Sequence, residues 1–253
     1  MNSGDAANKL VLITGSAGGI GSDIALHLAS IGYQIGVGYT AQQTRAEQIV
    51  ERIHKNDGEA LAVHIDYQSR ATITKARETL RAHFGKPVSI LINNGAKAQE
   101  KPFETISDDD WQTMLSINLQ GPFIAAQELL PEMVAQKWGR IINITSVGGQ
   151  WGGFNQVHYA ASKAALINFT QSLAKIYSKD GIASTAVAIG LIKTEMTENE
   201  LNTAEGQKKA LSIPAQRLGE PRDVSETIAF LCSDRAEYLT GQTLSLNGGM
   251  YFN

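Results

Sequence analysis

Cysteine is nearly absent: Cys232 is the only one among 253 residues. That excludes an internal disulfide framework and fits a reducing compartment, with a buried small side chain as its simplest reading. An excess of one charge is also missing. Twenty-two Lys and Arg stand against 25 Asp and Glu, a formal net charge of −3, so there is no broad basic field for nucleic acid or anionic lipid. No apolar run approaches the roughly 18 residues of a membrane span. The start, MNSGDAANKLVLITG, has neither the charged opening nor the apolar stretch of a secretory leader. A cytoplasmic protein is expected. The five histidines (His27, His54, His64, His83, His158) lack metal-ligand spacing and no cysteine accompanies them, so no metal is expected. His158 is expected at the surface.

What is present is an ordinary globular composition, 43% hydrophobic and 19% charged, arranged with a rhythm. Short apolar runs at Leu10–Ile13, Gln34–Tyr39, Ala60–Ile65, Ser89–Ile92, Arg140–Ile144, Ala183–Ala188 and Thr243–Leu246 read as strands. Longer amphipathic stretches at Ile20–Ser30, Ala41–Lys55, Thr72–Phe84, Asp109–Gln136, Tyr159–Ser178 and Arg222–Ser233 read as helices. Strand then helix, repeated, predicts an α/β fold: one doubly wound domain over residues 1–253, with an about seven-stranded parallel sheet and helices on both faces. The polar stretch Lys193–Ile213 interrupts the rhythm. It reads as a lid over the carboxyl edge of the sheet, or else as an inert surface insertion.

The first strand runs into ITGSAGGIGSDIALHL, with Gly15, Gly19 and Gly21 in a turn that opens a helix. Glycines let backbone N–H groups approach a pyrophosphate, and a helix N-terminus favours its charge. The same glycines would also serve a merely tight strand–helix turn.

A second constellation lies in SVGGQWGGFNQVHYAASKAAL. Tyr159 and Lys163 are one helical turn apart on one face. Moving a phenol from about 10 to about 7 needs about 4 kcal/mol. A unit charge about 4 Å away, at an effective dielectric near 20, supplies about 4 kcal/mol. Lys163 is therefore expected to bring Tyr159 within range of general acid–base work near neutral pH. Ser146 ends a strand, where α/β sheets place ligands, and its hydroxyl can bond a carbonyl. Gly148 and Gly149 are expected to keep the entrance open. Chance gives Tyr and Lys this spacing on many Ala-rich helices; the weight comes from the combination.

TGSAGGIG, SINLQGPF, GRIINITSVGG, YAASKAAL and the ending RLGEPRDVSETIAFLCSDRAEYLTGQTLSLNGGMY resemble, in order and spacing, elements of the short-chain dehydrogenase/reductase family. The likeness runs from Lys9 to Tyr251 and is nearest to the bacterial 3-oxoacyl-[acyl-carrier-protein] reductases. It implies a Rossmann fold and an NAD(P)-dependent carbonyl reductase with Asn118, Ser146, Tyr159 and Lys163 as catalytic residues. Asn118 would hold a water that links Lys163 to solvent. The implied cofactor contacts are Gly15, Ser16, Gly19, Ile20 and Gly21 at the glycine turn, Asp66 and Tyr67 at the adenine, Asn93 and Gly95 near the ribose, Tyr159 and Lys163, and Gly190, Ile192 and Thr194 at the nicotinamide. The second strand ends in Tyr39 and Thr40, where an NAD site usually has Asp or Glu. A 2′-phosphate is tolerated there, with Arg45, Ser16 and Thr40 in reach. NADP(H) is the expected cofactor, with NAD(H) not excluded and Arg45 alternatively a solvated helix charge.

The chain departs from the family pattern twice. NNGA, Asn93 to Ala96, exchanges the last two residues of N-N-A-G, and Ile189-Gly190 replaces Pro-Gly. The resemblance further implies a homotetramer paired through Asp109–Gln136 and Tyr159–Ser178, where Ala125, Ala126, Ala165, Phe169 and Leu173 look surplus to one sheet face. For a possible acyl carrier protein, Lys137 is the basic residue expected at the pocket mouth, with Asp180 standing where a second is wanted. Alternatives are another ketone or alcohol (sugar, steroid, small ketone), or a cofactor-binding regulatory homologue with little turnover.

Overall fold

In a computed structural model that describes residues 9–194, 208 and 210–252, seven strands form one sheet of order β3-β2-β1-β4-β5-β6-β7. They are β1 Leu10–Ile13, β2 Gln34–Tyr39, β3 Ala60–His64, β4 Ile90–Asn93, β5 Gly139–Ser146, β6 Ile182–Ile189 and β7 Thr243–Leu246. Every pairing is parallel. Parallel strands need crossovers, and helices supply them. The described helices include α1 Gly19–Ser30, α2 Gln43–His54, α3 Arg70–Phe84, α4 Asp108–Leu115, α5 Gly121–Ala135, the short α6 Gly148–Trp151, α7 Val157–Tyr177 and α8 Pro221–Cys232.

Alternation within a strand sorts its side chains to two faces. In β1, Val11 and Ile13 join a core with Ile24 and Leu28 of α1, Ile49 of α2 and Ile228 of α8. Leu10 and Leu12 join another with Ile73 and Leu80 of α3, Leu129 of α5 and Leu173 of α7. Both faces are therefore covered, as the near-continuous apolar strands require. Among the described residues, no helix is long and apolar enough to cross a membrane.

The order reverses between β1 and β4. A crevice opens there at the carboxyl edge, the usual ligand position of such sheets. The stretch expected as one helix from Asp109 to Gln136 is instead interrupted by a π turn, Ser116–Gln120, where the N–H of Gly121 returns to the carbonyl of Ser116. Pro122 explains much of it: it has no N–H to offer Asn118 four residues back. The expected lid, 193–213, lies largely outside the described residues. Ala125, Ala126 and Leu173 are buried in the molecule's own core, so they are not surplus; Phe169 and the exposed Phe123 remain on the outer face of α5 and α7.

Candidate active site

The turn between β1 and α1 makes one end of the crevice. Gly15 (φ 60°) and Gly19 (φ 54°) are left-handed, a conformation other residues adopt at a cost. A Cβ on Gly15 would lie 2.6 Å from the Cα of Gly95, and one on Gly21 would lie 2.6 Å from the carbonyl oxygen of Gly15. These glycines let β1's turn, β4's end and α1 converge. No side chain caps α1 and no acidic residue stands in its first turn. Its N-terminus is thus a positive pole facing a cavity of about 540 Å³, within the range of about 300–1,000 Å³ common for ligand sites.

Of the expected cofactor contacts, Gly15, Gly19, Ile20, Tyr39, Thr40, Arg45, Gly95, Tyr159, Lys163 and Thr194 line this cavity. Ser16 is fully buried, and its hydroxyl donates to Ile13 O at 2.9 Å, with Gly38 O at 3.4 Å. Thr40 likewise spends its proton on Ile65 O, 2.7 Å away. Asp66 closes a turn by accepting from the Gln68 N–H. Tyr67 turns its ring inward against Gly121, where a Cβ would lie 2.2 Å from the Tyr67 Cγ. Its hydroxyl bonds Thr14 (2.6 Å) and Asn93 (2.7 Å), and Asn93 continues to Asn143 and Thr170. Asn93 and Tyr67 thus brace β1, β4, β5 and α7 under the cavity. Gly190 is packed on Asn247, and Ile192 is buried and bridged to Gly219. The loop without its proline is held by bonds from Gly190 N to Leu246 O, Gly219 N to Leu191 O and Lys193 N to Gly219 O. Ala96 stands in the cavity wall beside Gly95 without closing it.

At the other end, β5 delivers Ser146 and α7 delivers Tyr159 and Lys163. The Ser146 hydroxyl faces the Tyr159 phenol and favours its ionised form, and its Oγ accepts from the Gly148 N–H at 3.1 Å. Lys163 is buried; its Nζ donates to Ile144 O at 2.9 Å and sits 5.7 Å from the centroid of the Tyr159 ring. The electrostatics differ from the expectation. Burial pushes the Tyr159 phenol above its usual 10, with Ser146 working against it, and burial brings Lys163 down from 10.5 to about 8. Desolvation outweighs the ion–phenol attraction because both groups lose water together. Gly149 does not hold an entrance open: a Cβ there would lie 2.8 Å from the Lys163 carbonyl carbon. It seats the segment after Ser146 directly on the backbone of α7.

Asn118 is buried in the π turn, and its side chain is fully engaged. Oδ1 accepts from the Lys97 N–H (2.8 Å), while Nδ2 lies near Lys97 O (2.9 Å), Ser162 Oγ (3.1 Å) and Met114 Sδ (3.0 Å). His158 is also buried, contrary to the expectation of a surface residue. Lys137 and Asp180 lie at the amino edge of the sheet, since β5 starts at Gly139 and ends at Ser146. That puts roughly 23 Å of strand, seven steps of about 3.3 Å, between Lys137 and the Ser146 end of β5, so Lys137 does not stand at the mouth of this chain's cavity. Among the described residues, no group of His, Cys, Asp and Glu suits a metal ion.

A glycine cradle at a switch point, joined by one cavity to Tyr159 and the buried Lys163 with Ser146 beside them, defines a dinucleotide-binding oxidoreductase. Residues 9–205 match the family described as short chain dehydrogenase. The chain is 36% identical over 244 residues to the 3-oxoacyl-[acyl-carrier-protein] reductase FabG of Staphylococcus epidermidis, covering 96% of this chain and 99% of that one. It is 40% identical over 244 residues to FabG of Aquifex aeolicus, covering 96% and 97%. A structure of 7α-hydroxysteroid dehydrogenase complexed with NADH and 7-oxo glycochenodeoxycholic acid superposes with a TM-score of 0.92 at 30% identity, covering 98% and 97%. The chain belongs to the short chain dehydrogenase family, and it is an NAD(P)-dependent oxidoreductase.

Proposed function

We propose that this enzyme uses NADPH to reduce 3-oxoacyl thioesters to 3-hydroxyacyl thioesters. The reading is carried by the meeting of Ser146, Tyr159 and Lys163 at one end of the glycine-cradled cavity, in a chain so similar to reductases of that name. When bound, the nicotinamide supplies the hydride to the carbonyl carbon. Ser146 and Tyr159 both address the carbonyl oxygen: Ser146 orients it, and Tyr159, kept protonated by burial, gives it a proton. Lys163 leaves Ile144 O to hold the ribose hydroxyls. Asn118 is a positioning residue that acts through Lys97 and Ser162, and the carbonyl of Asn118, whose usual i+4 donor is missing at Pro122, is the atom suited to a water.

Arg45 supports the choice of NADPH. A Cβ on Gly18 would lie 3.7 Å from Arg45 Nη1, so the guanidinium stands at the glycine turn itself. With the Ser16 and Thr40 protons spent, it is the cation in the cavity wall at the adenosine end. Charge-assisted bonds are worth about 1.5–3 kcal/mol. Arg45→Ala is therefore expected to raise the KM for NADPH about 10- to 100-fold and leave that for NADH within about twofold. Equal effects on both would remove Arg45 from the phosphate site.

The enzyme is further proposed to be a cytoplasmic homotetramer, a second copy covering the groove of Leu115, Leu119, Phe123 and Phe169. With Lys137 at the far edge of the sheet, little preference for an acidic carrier protein over CoA is expected. A bulky apolar ketone is the second reading. It is favoured by the exposed aromatic residues Trp151, Phe154 and Phe252, with Trp151 stacked edge-on to Tyr251 at 6.0 Å. Loss of nicotinamide absorbance with NADPH and acetoacetyl-CoA, at low salt, supports the thioester reading. Turnover of steroid ketones without turnover of either the CoA or carrier-bound thioester supports the second. Binding of NADPH with no turnover on any ketone would make the protein a cofactor-binding regulator.

A further inference from the structure

The loop from β4 to α4 carries one cavity wall, Gly95, Ala96 and Ala98, and is stitched down on two sides. Asn118 grips it at both backbone atoms of Lys97. Opposite, Lys101 N donates to Asn155 O at 2.7 Å, Gln156 Nε2 donates to Glu100 Oε1 at 3.0 Å, and Gln99 meets His158 at 3.0 Å. The last tie stands apart, because His158 directly precedes Tyr159 and is 0% exposed.

The proton positions follow from the partners. The Asp110 carboxylate accepts from Lys101 Nζ (2.5 Å) and the Ser107 N–H (3.0 Å), which hold it well below the usual carboxylate range. An ionised carboxylate only accepts, so Gln99 turns its Nε2 to Asp110 Oδ1, 3.0 Å away. The Gln99 oxygen is then what faces His158, and an amide oxygen only accepts. The imidazole proton therefore sits on Nε2. Nδ1 is left as a buried lone pair with no partner among the described residues. A second proton there would find no acceptor. It would be opposed by Lys97 and Lys101 on the loop and favoured only by Asp110 of α4, and burial holds the imidazole below its usual value. His158 is a fixed, neutral, single donor.

We propose that the Gln99–His158 hydrogen bond is a positioning element that sets Tyr159 against the cavity wall. It rests on the reading of Tyr159 as proton donor. The first turn of α7 carries both side chains, so what locates His158 locates the phenol. The directional chain Lys101–Asp110–Gln99–His158 fixes that turn relative to Ala96 and Ala98, between which and Tyr159 the reacting carbonyl must fit. An error of about 1 Å in such a gap can cost about 100-fold in rate.

The test uses His158→Leu, Gln99→Leu and the double variant, read by Tm, kcat and the Kd for NADPH. Each single variant leaves a buried polar partner unpaired and should lower both Tm and kcat. The double variant removes both partners, which is nearly neutral for stability. Its Tm should return toward wild type while kcat stays about 10- to 100-fold down and NADPH affinity stays within about threefold. Recovery of kcat together with Tm would make the pair merely structural and overturn the proposal. Wild-type kcat in the double variant beside an inactive Tyr159→Phe overturns the clamp alone; an active Tyr159→Phe overturns both readings.

Discussion

Tyr159→Phe is expected to lower kcat by 10²–10⁴-fold, the usual contribution of a positioned proton donor, and to leave NADPH affinity within a few-fold. The substitution removes one oxygen and keeps the ring between Ser146 and Lys163. The proton it would give is needed only in the transition state, so the loss falls on kcat. Burial raises the phenol's pKa, which suits a group that must still hold its proton at neutral pH. Reduction should therefore not require alkaline conditions, whereas the reverse alcohol oxidation, which needs the phenolate, should speed up as pH rises. Steady-state rates in both directions from pH 6 to 10, with wild type and variant, check this. More than about a tenth of wild-type turnover in the variant would remove Tyr159 from the acid role.

The fold was legible because its signals are local and redundant. Strands such as Leu10–Ile13 are apolar on both faces, and glycines such as Gly85 and Gly181 mark element ends with left-handed backbone. Ser146, Tyr159 and Lys163 could be singled out because the roles proposed for them depend on residue type and spacing along one strand end and one helix. What stayed hidden depends on contacts far apart in sequence. Nothing around Gln99 says that it meets His158, 59 residues on. Nor does a helix-initiating histidine reveal that a loop buries it. The hydroxyls of Ser16 and Thr40 looked available because a sequence does not show which carbonyl they face. Nor does the sequence show that the Tyr67 ring fills the place of a Cβ on Gly121. The balance at Tyr159 and Lys163 was misjudged for a related reason. Pair attraction can be computed from spacing, but desolvation depends on everything else that surrounds the pair.

Lys163→Met is expected to abolish turnover and yet stabilise the nucleotide-free enzyme. In the folded chain Lys163 titrates at about 8 instead of 10.5, because burial penalises its charge. Below pH 8 both states hold the proton and the folded state bears the whole penalty. The displacement, 10.5 − 8 = 2.5, corresponds to about 3 kcal/mol. Between pH 8 and 10.5 the unfolded chain binds more protons than the folded one, so this group's contribution makes stability rise with pH. Methionine fills similar space without charge. It leaves Ile144 O without the lysine's hydrogen bond, a loss of about 1 kcal/mol that offsets part of the gain. The net effect at pH 7 is about 2 kcal/mol, or about 4–8 °C in Tm for a chain of this size. At pH 9.5 the advantage should have largely gone. Saturating NADPH should reverse the order, because a ligand that binds only the folded state stabilises wild type by mass action and the variant has lost the ammonium proposed to hold the ribose. Melting curves at pH 7 and 9.5, with and without NADPH, separate these terms. An equal or lower Tm for the variant at pH 7, with no change in the difference at pH 9.5, would mean that the lysine is not desolvated in the resting enzyme and already has its counter-charge before the cofactor arrives.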